Sequence, residues 1–146
     1  MKQNVKIKLL RENATCPSYQ SASAAGADLY AALDGAIAIE SGQTVLVPTG
    51  IAMEIPEGYV GLVYARSGLA TKKGLAPANK VGVIDSDYRG EIMVALHNHS
   101  GERAQVLAGE RIAQIVLTPY LTAEFEISEE LSDTERGSGG FGSTGK

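Results

Sequence analysis

Apolar and polar residues alternate along most of this chain. Val5, Ile7 and Leu9 are separated by lysines, and Ile37 and Ile39, Val45 and Val47, and Ile51, Met53 and Ile55 repeat the pattern. Val60, Leu62 and Tyr64 follow, then Val81 and Val83, then Ile92, Val94 and Leu96. A period of two places successive side chains on opposite faces of an extended chain, so each stretch predicts a short strand. Turn formers punctuate them: Asp34-Gly35, Ser41-Gly42, Pro48-Thr49-Gly50, Pro56-Glu57-Gly58, Arg89-Gly90, Ser100-Gly101 and Ala108-Gly109. Many short strands at this spacing predict an all-β sandwich, jelly roll or barrel.

One segment departs from the alternation. Ser67 to Gly74, SGLATKKG, reads as a short helix with Ser67 as N-cap, lysines in its last turn and Gly74 as its stop. The start of such a helix presents free N–H groups to an anion, and Arg66 stands just before it.

Composition narrows the function classes. The 146 residues suffice for one domain with a real core. A net charge of −4 argues against duplex nucleic acid as the partner, because nothing neutralises a phosphate backbone wholesale, but leaves room for a small anion. Cys16 is the only cysteine, which excludes an intrachain disulfide and a cysteine-based metal site. With no apolar signal core and no long apolar run, the expectation is a soluble, intracellular, cytoplasmic protein without a membrane partner. Between Pro119 and Glu135 there are six acidic residues and no basic one, and five of the eleven residues from Arg136 on are glycine. Such a tail buries too little to offset its ordering entropy. The expected organisation is therefore a β domain over residues 1–135 and a glycine-rich arm over 136–146. The last seven residues, GFGSTGK, fit a P-loop pattern. A P-loop needs a strand before it and a helix after it, however, and RGSGG is no strand while Lys146 is the last residue given. The arm is expected to meet phosphate in another way.

Several stretches carry candidate chemistry. VGVIDSDYRGEI, residues 81–92, runs from an apolar strand into Asp85-Ser86-Asp87, then Tyr88-Arg89-Gly90 and a second strand, and reads as a hairpin. Its acids are either solvated turn formers, or Asp85 orients and deprotonates a water while Tyr88 packs on a sugar. Arg66-Ser67-Gly68 is either a helix cap or a phosphate cradle, with a guanidinium fork, a hydroxyl and a close backbone. Asp28, among Ala24, Ala25, Gly26 and Ala27, is either a surface turn or a hard-cation site. Gln114 interrupts an apolar strand and faces either solvent or a polar ligand. His97 and His99 share a strand face without a third metal ligand nearby, and are assigned no role; Cys16 reads as inert.

In their order and spacing, AGADLYA, ARSGLATKKGL, NKVGVIDSDYRGEI, GERIAQIVL and RGSGGFGSTG closely resemble the five motifs of the homotrimeric dUTPase family. The resemblance spans nearly the whole chain. It implies a distorted jelly-roll or β-barrel subunit with one short helix, assembled as a homotrimer whose three active sites are shared between chains. It implies hydrolysis of dUTP to dUMP and pyrophosphate with Mg2+, which keeps uracil out of DNA and supplies dUMP for thymidylate synthesis. By motif, Asp85 would activate the water that attacks the α-phosphorus. Tyr88 would pack under the deoxyribose and leave no room for a 2′-OH. Asn79 and the backbone at Gly82 and Val83 would read uracil. Arg66, Ser67, Gly68 and Gln114 would contact phosphates, and Asp28 would hold Mg2+ through water. Arg136 would meet the γ-phosphate, Phe141 would stack on uracil, and Gly142, Ser143 and Thr144 would wrap the phosphates.

Two alternatives use the same scaffold. A dCTP deaminase-type enzyme needs a catalytic glutamate in the base pocket, for which Glu91 is the nearest candidate. A non-catalytic nucleotide-sensing protein should lack Asp85 or the glycine-rich arm, and this chain has both.

Overall fold

The alternating segments become strands that pair almost entirely with distant partners. The computed structural model describes residues 2–141. In chain order it contains β1 (Lys6–Leu9), β2 (Ala27–Tyr30), β3 (Ile37–Ile39), β4 (Thr44–Pro48), β5 (Ile51–Glu54) and β6 (Tyr59–Tyr64). The helix α1 (Ser67–Lys73) follows, then β7 (Leu75–Pro77), β8 (Gly82–Ile84), β9 (Met93–Asn98), β10 (Ala104–Val106) and β11 (Arg111–Pro119). They form a four-stranded sheet in the order β2-β11-β6-β8, a three-stranded sheet β4-β9-β7, and the pairs β1-β5 and β10-β3. Every pairing is antiparallel. This is the expected all-β architecture with one short helix. Leu29, Ile39, Val47, Ile51, Leu75, Val94, Leu96 and Ile112 fill the core between the sheets.

Two expectations change. The segment 81–92 is not a hairpin: β8 pairs with β6, whereas β9 pairs with β4 and β7, so the loop between them crosses from one sheet to another. The apolar run before Asp85 finds its partner about twenty residues upstream rather than across the turn. Ser67 is not the N-cap. Arg66 takes that position in extended conformation with no side-chain cap, and Ser67 is already helical, its carbonyl accepting from Thr71 Oγ1 at 2.7 Å. Gly74 does end the helix, with φ 65°, a left-handed turn suited to glycine. The strand framework stops at Pro119, and residues 120–141 carry neither helix nor strand. Leu121, Phe125, Ile127 and Leu131 of this stretch are exposed. Acidic neighbours made that stretch read as ordinary surface, but its apolar side chains touch no core of their own chain.

The four-stranded sheet also turns an unexpected face inward. Gly61 and Val63 of β6 are buried, while Val60 and Leu62 are half-buried and Tyr64 is exposed. Across the strands Val116, Leu62 and Val83 stand in one row, with Thr118 opposite Val60 beside it. Val83 is 58% exposed. The alternation in β6 was real, but its larger residues line the outer face.

Asn98, at the end of β9, is fully buried, and its side chain joins β9 to β3 and to the turn at 100–102. Its Nδ2 donates to the carbonyls of Ile39 (2.9 Å) and Glu102 (2.8 Å), and its Oδ1 accepts from the N–H and hydroxyl of Ser100. Nothing in the strand pattern marks it. Asn98→Ala removes all four bonds and leaves the buried Ile39 carbonyl without its donor, and a loss of about 2–4 kcal/mol is expected in urea unfolding.

Candidate functional site

Two clefts are lined by Val83, Asp85 and Tyr88 and by Arg66 and Gly68, among the residues singled out above. The first, about 190 Å³, is lined by Val83, Ile84, Asp85, Tyr88, Glu91, Ile92 and Met93. Strand β8 delivers Asp85 to its rim, where the side chain is exposed and accepts no hydrogen bond from the described residues. A turn closed by Tyr88 N–H donating to the Asp85 carbonyl (3.2 Å) brings Tyr88 round. Tyr88 lies over Gly90, where any Cβ would overlap its hydroxyl, and it donates to the Glu91 carbonyl at 2.8 Å. Arg89 braces the same loop by donating to the carbonyls of Ser86 and Tyr88. On the approach to β8, Lys80 takes a left-handed φ of 63° and the Asn79 amide rests against the missing side chain of Gly82. Val83, Asp85 and Tyr88 thus line one cleft, while Asn79 and Gly82 meet at the start of the same strand, outside its lining.

The second cleft, about 270 Å³, is lined by Arg66, Gly68, Leu69, Lys72, Lys73, Glu110 and Arg111. Behind its two arginines lies Asp28, whose side chain is only 6% exposed. Oδ1 accepts from Arg66 Nε at 2.7 Å and Oδ2 from Arg111 Nη1 at 3.3 Å. Asp28 is therefore neither a surface turn nor an open carboxylate, because two guanidinium groups cover it. A β-bulge between Arg111 and Ala113 makes this possible. Arg111 stands opposite Tyr30 and Gln114 opposite Asp28, so the bulge puts Arg111 and Gln114, three apart, on one face. Gln114 points neither outward nor to open space: its amide donates to the Ala65 carbonyl at 2.9 Å and fits against Gly26, which has no Cβ to block it. That bond fixes the end of β6 from which Arg66 departs. Ser67 and Gly68 are exposed at the mouth of this cleft.

The charge balance of the second cleft favours an anion. One carboxylate, Asp28, serves two guanidinium groups, and Glu110 neutralises Lys73. Lys72 has no acidic partner among the described residues, so a positive excess remains. With α1 only seven residues long, these side chains rather than the helix terminus carry most of the attraction. Sequence reasoning missed Arg111 and Lys72, although both lie inside the quoted segments, because the bulge and the fold of the cleft leave no local signal.

Glu91 behaves differently from a catalytic acid. Arg11 holds its carboxylate with a fork, Nε to Oε1 at 3.1 Å and Nη2 to Oε2 at 3.2 Å, and the Gly50 N–H donates at 2.9 Å. The Arg11 hydrogen bond, with smaller help from Gly50, holds the Glu91 carboxyl below the usual carboxylate range against the opposing effect of burial. A carboxylate kept ionised and tied on both oxygens is a poor proton shuttle, which removes the structural support for a deaminase.

The remaining predicted residues lie on the arm. Arg136 donates to the Gly139 carbonyl of its own turn at 2.8 Å, and Phe141 is fully exposed. Gly142, Ser143 and Thr144 lie outside the described residues. The two clefts share no lining residue.

Comparison with known proteins agrees with this geometry. The dUTPase family model matches residues 12–145. A relative from Desulfitobacterium hafniense, named deoxyuridine 5′-triphosphate nucleotidohydrolase, is 54% identical over 144 residues, covering 97% of this chain and 95% of the relative. Among solved structures, the Staphylococcus bacteriophage 80alpha dUTPase with dUPNHPP superposes with a TM-score of 0.90 at 31% identity, covering 99% of this chain and all of that one. A dUTPase from phage phi11 of S. aureus, solved with a structural Mg(II) ion, gives 0.79 at 28% identity over 88% of this chain and 98% of that one.

The depressed Glu91 pKa has a consequence for stability. Its contribution is full above the unfolded carboxylate value of about 4.3 and is lost as pH falls through the lower folded value. Arg11 stays charged throughout. In urea titrations from pH 6 to pH 3, Glu91→Gln is expected to be less stable than the parent at pH 6, and the gap is expected to close below about pH 4.

Proposed function

The chain belongs to the dUTPase family, and on that premise we propose that it hydrolyses dUTP to dUMP and pyrophosphate, with Asp85 activating the attacking water. One observation carries the assignment of roles: Asp85 is the acid at the cleft rim that has no partner among the described residues, whereas Glu91 and Asp28 are both tied to arginines. An unpaired carboxylate at an exposed strand end can accept a proton from water and direct its lone pair at the α-phosphorus. The bond that breaks is the one from the α-phosphorus to the oxygen bridging to the β-phosphate, and pyrophosphate leaves with that electron pair.

The other residues position and neutralise. Tyr88 packs beneath the deoxyribose, while Asn79, Gly82 and Val83 present the uracil edge with fixed donors and acceptors. Arg66, with Ser67 and Gly68, grips the phosphates, and Gln114 holds the backbone that carries Arg66. From the arm, Arg136 and Phe141, with Gly142, Ser143 and Thr144, cover the bound nucleotide and exclude water. Phosphoryl transfer of this kind is mostly positioning and charge stabilisation.

Magnesium fits this donor set in one manner. No three His, Cys, Asp or Glu side chains cluster among the described residues, and both Asp28 oxygens already accept from guanidinium groups. Each oxygen keeps a lone pair for a water, so an ion carried on the triphosphate would meet the chain through its hydration shell at Asp28. When bound it supplies charge neutralisation for the departing pyrophosphate.

The working unit we propose is a homotrimer with shared sites. Two features support it. The nucleoside cleft and the cation cleft are separate within one chain, and a second copy would supply the missing half of each. Val83 is exposed and its row neighbours Leu62 and Val116 are only half-buried in the single chain, and Leu121, Phe125, Ile127 and Leu131 are exposed as well. No described helix is long and apolar enough to cross a membrane.

Purified protein with dUTP and magnesium is expected to release one pyrophosphate per dUMP. Asp85→Asn is expected to lower kcat by about 10²–10⁴ with little change in binding of a non-hydrolysable dUTP analogue. Comparable turnover in that variant excludes Asp85 as the base. Deleting 136–146 is expected to leave the melting temperature unchanged and to cut turnover strongly. Loss of folding would instead make the arm structural.

A further inference from the structure

The loop that carries Tyr88 is seated on a part of the chain far from it in sequence. Glu91 lies 80 residues from Arg11, yet both its carboxylate oxygens accept from that guanidinium. A third bond comes from the Gly50 N–H. Gly50 has a left-handed φ of 69° and packs so closely on Ala14 that a side chain would not fit, and its carbonyl accepts from the Leu10 N–H at 2.7 Å. On the other side of Glu91, the Ile92 N–H donates to the Ile51 carbonyl at 2.8 Å and the Ile92 carbonyl accepts from Thr49 Oγ1 at 2.6 Å. Residues 10–14, 49–51 and 91–92 thus form one knot.

Tyr88 rests on that knot. Its hydroxyl donates to the Glu91 carbonyl, its ring fills the space left by Gly90, and Glu91 lines the same cleft. The rest of the loop, from Asp85 to Arg89, is mostly exposed and held by bonds within itself. Among the described residues the ring has no other hydrogen-bonded anchor, so its height in the cleft follows the position of the Glu91 backbone.

We propose that Glu91 and Arg11 are specificity-positioning residues: by pinning the Glu91 backbone they fix the Tyr88 ring, and the fixed ring excludes a 2′-hydroxyl from the sugar site. The inference rests on Tyr88 packing beneath the sugar, as proposed above. A ring that could drop by a fraction of an ångström would admit a ribonucleotide; a ring whose seat is clamped by a charge-assisted fork cannot yield so easily. Both carboxylate oxygens of Glu91 are already taken by Arg11 and Gly50, so the pair acts through the seat of the ring. Their effect is on discrimination between substrates, not on the chemistry at the phosphorus.

The test compares kcat/KM for dUTP and UTP, with magnesium, in the full-length parent and in Arg11→Gln, Glu91→Gln, Tyr88→Phe and Tyr88→Ala. Arg11→Gln, at an exposed residue, and Glu91→Gln are expected to lower the dUTP-to-UTP ratio roughly three- to tenfold. Tyr88→Phe, which keeps the ring and loses its anchor, is expected to do the same. Tyr88→Ala is expected to lower the ratio further. Equal losses for both substrates in Arg11→Gln and Glu91→Gln would make the clamp merely structural and overturn the inference. An unchanged ratio in those two variants, with a lowered ratio in Tyr88→Ala, overturns it too while leaving the role of Tyr88 intact. An unchanged ratio in Tyr88→Ala removes the sugar-packing reading itself.

Discussion

Strand β11 is hydrogen-bonded along both edges, to β2 on one side and β6 on the other, and the cation cleft depends on that double pairing. The register sets Gln114 opposite Asp28 and Tyr64 at once. It therefore brings a carboxylate from the first part of the chain beside the arginine that follows β6. The bulge at the start of β11 then swings Arg111 onto the same face. A buried carboxylate is costly unless it is paired, and here the pairing is made by two side chains that the sheet delivers together. Removing Asp28 would leave two guanidinium groups facing each other across the space it fills. The same strand continues to Val116 and Thr118, so one face of one sheet runs from the cations to the rim of the nucleoside cleft.

The division of labour among the acids follows from this geometry. Asp28 and Glu91 are each spent on arginines, one to gather positive charge and one to pin a loop. Asp85 follows the end of a strand, and its carboxylate has no partner among the described residues. The three look alike as isolated letters. Their roles separate only when their partners are known.

Much of the architecture could be read from the chain alone, because alternation and turn residues act locally. The strands, the short helix and its glycine stop are all of that kind. The order of motifs also pointed to the family before any geometry was known. What escaped reading was set by distant pairing. Asp28 looked like a turn because Arg66 and Arg111 lie 38 and 83 residues away. The 81–92 segment looked like a hairpin because adjacent strands usually pair, yet these two join different sheets. Val60 and Leu62 looked like an ordinary strand face, and only the packing of Gly61 and Val63 reveals that they point away from the core. Asn98 and Arg11 carry no motif at all; their importance is entirely in what they reach.

The wide separation of these partners has a meaning in time as well as in space. Local contacts form early in folding, whereas pairings across most of the chain must first overcome a large loop-closure entropy. The Asp28–Arg111 contact spans 83 residues and the Arg11–Glu91 fork spans 80. On a ribosome, Asp28 emerges long before the strand that completes its site, and its carboxylate stays hydrated until β11 arrives. Both clefts are thus late products of folding, and a nascent chain cannot engage its nucleotide until it is almost fully made.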